Sequence, residues 1–375
     1  MPEPSRSSGS WLSRQRWLLP AVWWYLGLRA LTLVGLVLGD AFSHERLVNK
    51  LTRWDSSWLL DAARHGWPRH LVEVHGHVVA NTISFFPLLP LLIRWSHQLT
   101  GVPYSIVGLV LSGITGLSAT LGIGLLVRQF RSEHEAARAA ILVAVFPATF
   151  IFSLIYAEGL VLTFIACGLI ALLRKRWLLA GLLGLLATLT SPVGLAFVVA
   201  CVWASASAIR RQRAWRSLVA PLVAPLGFLA YMGWLRLHTG SFNAWRRTER
   251  GGWNSYPSLH YPVHLITSFV RDPLAQVKTT DLLIAGIAFT AVGLYWAFRQ
   301  RQPPLVLAYA VASVCLALLS SPVSLRPRFI LIAFPVVVAW ALRFRAKGFH
   351  ALVVLSLLGW AALTAFEFYS WAIFP

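Results

Sequence analysis

Charged residues and cysteines are both scarce in this sequence. Only 12% of the 375 residues are charged, against 57% that are hydrophobic, and the mean hydropathy of +0.66 exceeds what the surface of a soluble domain carries. The three cysteines, Cys167, Cys201 and Cys315, lie inside apolar runs without a CxxC spacing or a neighbouring histidine. The composition therefore excludes a soluble globular protein and gives no support to a disulfide framework or a cysteine-based metal site.

Acidic residues are fewer than basic ones, which leaves a net charge of +20. Such a charge is typical of a nucleic-acid-binding protein only when the basic residues form one domain or patch. Here they separate apolar runs of about bilayer length. We therefore expect membrane lipids, and no nucleic acid, among the partners.

Apolar runs predict an all-α polytopic membrane protein with about 11 transmembrane helices in a single domain over 1–375. The first run is too long for a signal peptide and lacks a cleavage site of small residues, so we expect it to be retained. The predicted spans are 17–39, 105–127, 139–157, 159–173, 177–193, 194–208, 217–237, 282–298, 304–320, 329–342 and 350–371.

Short basic connectors alternate with longer outer loops. The tail 1–16 and the connectors 128–138, 174–176, 210–216, 299–301 and 343–347 are rich in arginine, which places them and the N-terminus in the cytoplasm. The segments 40–104 and 238–281 then face outward. Because the stretch 82–99 contains two prolines and only about ten consecutive apolar residues, it predicts a re-entrant or juxtamembrane segment of the first outer loop.

Four conspicuous motifs resemble the PIG-V family, the mannosyltransferases that act in GPI-anchor assembly, and its bacterial relatives. They read RWDSSWLLDAARHGW from Arg53, NTISFFPLLPLLIRW from Asn81, FPATFIFSLIYAEGLVL from Phe146 and LRPRFILIAFPVVVAWA from Leu325. The resemblance implies a GT-C-type membrane glycosyltransferase, active on the outer face, with a polyprenyl-phosphate-mannose donor and no cofactor. The acceptor implied is a glycolipid or an envelope glycan. The sequence departs from the family pattern at Ser56, where glycine or alanine is frequent, and in 238–281, which leaves acceptor choice open.

Asp55 is the predicted general base. Transfer of a sugar to a hydroxyl with inversion needs a carboxylate that takes the acceptor proton, and Asp55 lies where a loop meets the membrane surface. The neighbouring Arg53, Trp54 and Trp58 are predicted to bind substrate, with Trp54 stacking on a sugar face. The alternative role for Asp55 is to cap a short helix over 56–64.

Two other carboxylates are distinguished by position. Asp61 lies about 120° from Asp55 around a helix, so we expect it to pair with Arg64 or Arg69 at the surface. Glu158 follows Tyr156 at the end of a predicted span, where a carboxylate is costly unless it is paired or functional. We predict that both Tyr156 and Glu158 line the site, with an ion pair to a loop arginine as the alternative for Glu158.

Arginines of the outer segments are candidates for the lipid phosphate. Arg326 and Arg328 bracket a proline before a predicted span, and a guanidinium suits a phosphate group; the alternative is contact with lipid headgroups. Arg328, nearer to the helix entry, is favoured. Arg246 and Arg247, with Arg250, form a second patch that binds either the acceptor or anionic headgroups.

Several other functions receive less support. The loop histidines lack the spacing of helical metal ligands, so no metal is predicted; they are His65, His70, His75 and His77. A transporter or glycolipid flippase stays open as an alternative, although no internal repeat is visible and few charged residues, Arg29 and Arg236 among them, lie within spans. Arginine outnumbers lysine 29 to 4, a bias typical of GC-rich genomes, which favours a bacterial plasma membrane.

Overall fold

The computed structural model describes residues 13–40, 47–258, 267, 280–321 and 326–369. Within these ranges the protein is almost entirely helical, and its four strands form two short antiparallel pairs. The all-α prediction is confirmed.

The helices of the first half run through α7. A short β-hairpin, β1 (Glu73–Val74) and β2 (His77–Val78), follows α3, and 3-10 turns cover Ser13–Leu18, Thr82–Ser84 and Pro147–Ser153. The helices are α1 (Leu19–Asp40), α2 (Leu47–Leu51), α3 (Asp55–His65), α4 (Leu88–Thr100), α5 (Tyr104–Val127), α6 (Glu133–Val145) and α7 (Glu158–Leu173).

The second half adds ten helices among the described residues. Strand β3 (Tyr256–Pro257) pairs with β4 (Ser320–Ser321), and 3-10 turns cover Pro192–Gly194 and Trp215–Leu218. The helices are α8 (Trp177–Thr190), α9 (Leu195–Gln212), α10 (Val219–Val223), α11 (Leu226–Thr239), α12 (Ala244–Trp253), α13 (Thr280–Arg299), α14 (Pro304–Leu318), α15 (Pro327–Ile332), α16 (Phe334–Arg343) and α17 (Ala346–Tyr369).

Each predicted span corresponds to a helix or a bent pair of helices, but not all are long enough to cross a bilayer alone. In the part of the chain that the structure describes, four helices have that length and composition, or six if each bent pair counts as one span, and five shorter apolar helices accompany them. The number of 11 crossings therefore stays a prediction. The span expected over 139–157 is wrong as a continuous helix, because α6 and the turn at Pro147 differ in direction by 67°. Proline lacks the N–H that a helix interior needs, and it also disfavours helical backbone at Phe146.

Helix α4 lies in the stretch expected not to span. Its 13 residues extend for about 20 Å, less than the hydrocarbon thickness. Its buried face packs on α3 through Leu89 and Ile93. Arg94 binds the end of α3, where its Nε donates a hydrogen bond of 2.7 Å to the carbonyl of Ala63. Helix α4 thereby holds α3, which begins at Asp55.

The predicted cytoplasmic connectors gather at one end of the bundle. Arg174 donates to Gln129 at 3.1 Å and Lys175 to Gln212 at 3.0 Å, which joins three of them. The side chains of Arg131 and Arg138 donate to the carbonyls of Gln300 and Phe344, respectively. These bonds join the connectors 299–301 and 343–347 to the connector 128–138. These five connectors therefore share one face of the molecule, as the alternating topology requires.

Candidate active site

Three helices begin at one ionic cluster. Nη1 of Arg328 donates to Oδ2 of Asp55 at 2.8 Å, and Nε of Arg328 lies 3.1 Å from Oε1 of Glu158. Asp55 and Glu158 are the first residues of α3 and α7, and Arg328 is the second residue of α15. Carboxylates are favoured at helix N-termini by the helix dipole. The structure thus brings together residues that are separated by up to 273 positions in the chain.

Strained backbone precedes Asp55. Trp54 has φ 56° and ψ −129°, a conformation that costs a non-glycine residue free energy and persists only where the surroundings impose it. Helix α3 has no side-chain cap at its N-terminus, so the alternative role of Asp55 as a capping residue is wrong. The Asp55 carboxylate instead faces Arg328, and its side chain stays 30% exposed.

The turn before Glu158 is fixed by hydroxyl groups. The backbone N–H of Ile155 donates to the hydroxyl of Ser56 at 3.0 Å, and the N–H of Tyr156 donates to that of Ser112 at 3.2 Å. Ser56 is fully buried, so its departure from the PIG-V pattern supplies a structural hydrogen bond. These contacts set Glu158 beside the start of α3.

Helices α5 and α7 approach each other closely just after Glu158. A Cβ at Gly159 would lie 2.7 Å from the backbone nitrogen of Gly116. Small residues at such contacts allow helix backbones to approach closely in membrane proteins. Glycine at 159 therefore lets α7 begin deep in the bundle with Glu158 at its end.

Aromatic rings flank the guanidinium. The centre of the Arg328 guanidinium lies 5.4 Å from the Tyr156 ring centroid and 4.9 Å from that of Phe329. Tyr156 is buried, whereas Arg328 keeps 18% of its side chain exposed. Cation–π contact and two carboxylates together hold Arg328 in one position.

Glu249 on α12 is a functional candidate that the sequence reasoning missed. The pKa of Glu249 is raised to about 7, chiefly by burial and also by the negative charge of Asp55, whereas the hydroxyl groups of Ser84 and Ser255 and the charge of Arg328 act in the opposite direction. Those interactions place it near the ionic cluster. The sequence contains a pattern that indicates Glu249, because Glu249 and Trp253 are four residues apart and therefore share one face of an outer helix.

Three aromatic side chains form a cluster beside these carboxylates. Trp58 stacks on Phe85 with 14° between the ring planes, and the Trp253 ring lies edge-on to both at 5.7 Å. Trp58 is one turn after Asp55, and Trp253 is one turn after Glu249. We call Trp58, Phe85 and Trp253 the aromatic cluster.

The predicted residues next to Asp55 and Arg328 in the sequence lie in different surroundings; they are Arg53, Trp54 and Arg326. Nη1 of Arg53 donates to the carbonyl of Phe368 at 3.3 Å, which ties the start of the site to α17. Trp54 packs against the main hydrophobic core, unlike Trp58. Arg326 is partly buried and immediately precedes α15. The substrate-binding roles of Arg53, Trp54 and Arg326 stay predictions.

The second basic patch does not converge on the ionic cluster. Arg247 forms an ion pair of 3.0 Å with Glu73 on the β-hairpin. Arg250 lies over the ring of Tyr256 at 5.4 Å, and Arg246 is exposed. Substrate binding by Arg246 and Arg247 stays a prediction without a contact to Asp55.

Asp61 has a different partner from the one expected. Its carboxylate lies 2.7 Å from Nδ1 of His65, and both side chains are well exposed. The predicted pairing with Arg64 or Arg69 is wrong, since Arg64 contacts the ring of Tyr104 instead. The spacing of four residues puts Asp61 and His65 on the same helix face. Across the described ranges, no three His, Cys, Asp or Glu side chains are arranged to hold a metal ion.

Comparison with known proteins gives a family and a fold. The family model described as glycosyltransferase family 87 matches residues 78–322. Glu158 and Glu249 lie inside this range, whereas Asp55 and Arg328 lie outside it. The match does not confirm the PIG-V subtype. No curated protein sequence matches.

Two solved structures resemble the fold. The first is ArnT from Cupriavidus metallidurans bound to undecaprenyl phosphate, with a TM-score of 0.54 and 15% identity over 90% of this chain. The second is the Archaeoglobus fulgidus oligosaccharyltransferase with a tethered acceptor peptide, with a TM-score of 0.47 and 15% identity over 94% of this chain. The chain spans 64% and 56% of the lengths of these two proteins. The first likeness confirms the predicted GT-C-type fold.

Proposed function

The chain belongs to glycosyltransferase family 87, and from this membership together with the motif resemblance to mannosyltransferases we propose that it transfers mannose from a polyprenyl-phosphate-mannose donor to a hydroxyl of a lipid-linked or cell-envelope glycan. The observation that carries the proposal is the ionic cluster of Asp55, Glu158 and Arg328 beside an aromatic cluster. The reaction is inverting and takes place on the outer face of a bacterial plasma membrane.

Asp55 is the general base in this proposal. Of the two carboxylates bound to Arg328, Asp55 is the more exposed, at 30% against 11% for Glu158, and is therefore the one that a hydroxyl can reach. It takes the acceptor proton while the acceptor oxygen attacks the anomeric carbon and the bond to the lipid phosphate breaks. Glu158 and Arg328 position it.

Arg328 has a second role at the leaving group. Negative charge grows on the phosphate as the sugar departs, and a fixed cation stabilises it most where water is excluded. A guanidinium has five N–H donors on three nitrogens, and the contacts to the two carboxylates involve two of those nitrogens. Arg328 is therefore able to contact a phosphate while it holds Asp55.

The acceptor lies against the aromatic cluster. Aromatic rings offer apolar faces to the C–H groups of a sugar, and Glu249 supplies a hydrogen-bonding group on the same side. The fold likeness to ArnT supports a lipid-phosphate donor, and the clustering of basic connectors at the opposite end supports an outward-facing site.

The test uses the full-length protein in liposomes with radiolabelled polyprenyl-phosphate mannose and a lipid extract of the source membrane. We expect label to move to a new glycolipid or glycan, with inverted anomeric configuration. Free mannose released without an acceptor, or label that crosses the bilayer unchanged, would contradict the proposal and favour hydrolysis or transport. A parallel reaction with the polyprenyl-phosphate glucose donor separates mannose from other hexoses.

A further inference from the structure

An open cavity of about 700 Å³ lies at the end of the bundle that carries the basic connectors. Three arginines line it, Arg299 at the end of α13, Arg343 at the end of α16 and Arg345 just beyond. Trp296, Gln300 and Phe344 supply most of the other walls. None of the described residues that line the cavity is acidic, so these residues present concentrated positive charge.

The cavity has fixed walls. The guanidinium of Arg343 lies 4.4 Å from the ring centroid of Trp296 and 5.9 Å from that of Phe344. Stacking on a ring face leaves the N–H edges of a guanidinium able to donate in its own plane. The amide of Gln300 donates to the carbonyl of Ala339 at 2.9 Å, which joins α13 to α16 behind the cavity.

The two carboxylates at this end that the structure describes, Glu133 and Glu135, are engaged elsewhere. Glu133 forms an ion pair with Arg128 at 3.3 Å, and Glu135 accepts hydrogen bonds from the backbone and hydroxyl of Ser132. The dipoles of α13 and α16 favour a cation at each helix end, which accounts for Arg299 and Arg343. It does not account for Arg345, which follows the end of α16.

From this geometry we infer that the cavity binds the phosphate of an anionic phospholipid headgroup. Basic pockets between membrane helices on the cytoplasmic side bind such headgroups. The aromatic walls and the position beside apolar helices suit the glycerol and the first acyl carbons. The inference does not rest on the proposed sugar transfer, because the cavity lies at the opposite end of α15 and α16 from Arg328.

The test measures lipid retention by native mass spectrometry of the full-length protein in detergent. The probes are dioctanoyl phosphatidylglycerol, dioctanoyl phosphatidylcholine and inorganic phosphate. We expect one phosphatidylglycerol to bind the natural protein in preference to phosphatidylcholine. The triple variant Arg299→Gln, Arg343→Gln, Arg345→Gln should bind it about a hundredfold more weakly, since each basic residue near an anionic lipid contributes about fivefold.

The matched control is Arg210→Gln, Arg211→Gln, Arg216→Gln, which removes the same charge from exposed positions at the same end, outside the cavity. It should bind phosphatidylglycerol as the natural protein does. Equal losses in both triple variants would overturn the inference, because they would show a response to net charge alone. Inorganic phosphate that displaces the lipid at equal concentration would also overturn it, in favour of a site for a free anion. The single variant Arg343→Gln, with an expected loss of about fivefold, serves if the triple variant does not fold.

Discussion

Arg328 contacts the carboxylates of both Asp55 and Glu158, at 2.8 and 3.1 Å. One guanidinium therefore joins the N-termini of α3, α7 and α15. Removal of Arg328 leaves two carboxylates close together without their common cation, and an uncompensated buried charge costs about 3 kcal/mol or more.

Arg328→Gln should accordingly destabilise the protein strongly, and Arg328→Gln combined with Glu158→Gln should recover part of the loss in thermal unfolding in detergent. The exposed pair of Arg247 and Glu73 is the control, and Arg247→Gln should cost less than about 1 kcal/mol. Equal destabilisation by Arg328→Gln and Arg247→Gln would show that the cluster is not an ionic bridge.

Glu249 should make stability depend on pH. Because its pKa in the folded protein is about 7, above the ordinary value of about 4.3, the folded state binds a proton more tightly than the unfolded state. The stability that protonated Glu249 contributes is fully present below about pH 4.3 and is lost as the pH rises through 7. Glu249→Gln should flatten the fall in unfolding temperature between pH 5 and pH 8, whereas Glu73→Gln at the surface should not. An unchanged slope in Glu249→Gln would contradict the raised pKa.

Trp253 should contribute more to binding of the acceptor than to binding of the donor. Trp253→Ala removes one wall of the aromatic cluster and should raise the KM for the acceptor by up to about tenfold, with the KM for the donor little changed. Trp95→Ala, at an exposed position of α4, should leave both constants unchanged. An effect of Trp253→Ala confined to the donor would move the acceptor away from this cluster.

The predicted topology is open to cysteine labelling. In a background without Cys167, Cys201 and Cys315, His70→Cys and Asn243→Cys should react with an impermeant maleimide in intact cells. Gln212→Cys at the end with the basic connectors should react only after permeabilisation. All three positions are exposed, so differences report the side of the membrane. The reverse pattern would place the ionic cluster in the cytoplasm.

Local patterns in the sequence account for much of the fold and for individual site residues. Apolar runs locate the helices, and position, chemistry and the motif resemblance together indicate Asp55, Glu158 and Arg328 as candidate site residues, with Arg328 favoured over Arg326. Their convergence depends on tertiary contacts, such as the bond between Ser56 and the backbone of Ile155, which no local pattern specifies.

The wrong predictions, and the one residue that sequence reasoning misses, depend on side-chain direction or on local backbone conformation. Glu249 was overlooked because it stands among arginines that predict a surface helix, and only the packing of α12 turns it toward Asp55. Asp61 has His65 on its own helix face, although arginine is the more usual partner of a carboxylate. Pro147 indicates the bend at Phe146, but the run around it is otherwise apolar and has the pattern of one continuous span.

The most direct test of the account compares Asp55→Asn with Asp61→Asn in the mannosyl-transfer reaction. Both changes remove one carboxylate from α3, but only Asp55 contacts Arg328, while Asp61 pairs with the exposed His65. We predict that Asp55→Asn keeps the fold and donor binding and lowers turnover about 10²- to 10⁴-fold, the usual contribution of a positioned base, and that Asp61→Asn stays within about threefold of the natural protein. Turnover that survives in Asp55→Asn, or is lost in Asp61→Asn instead, would contradict the assignment of Asp55 as the base.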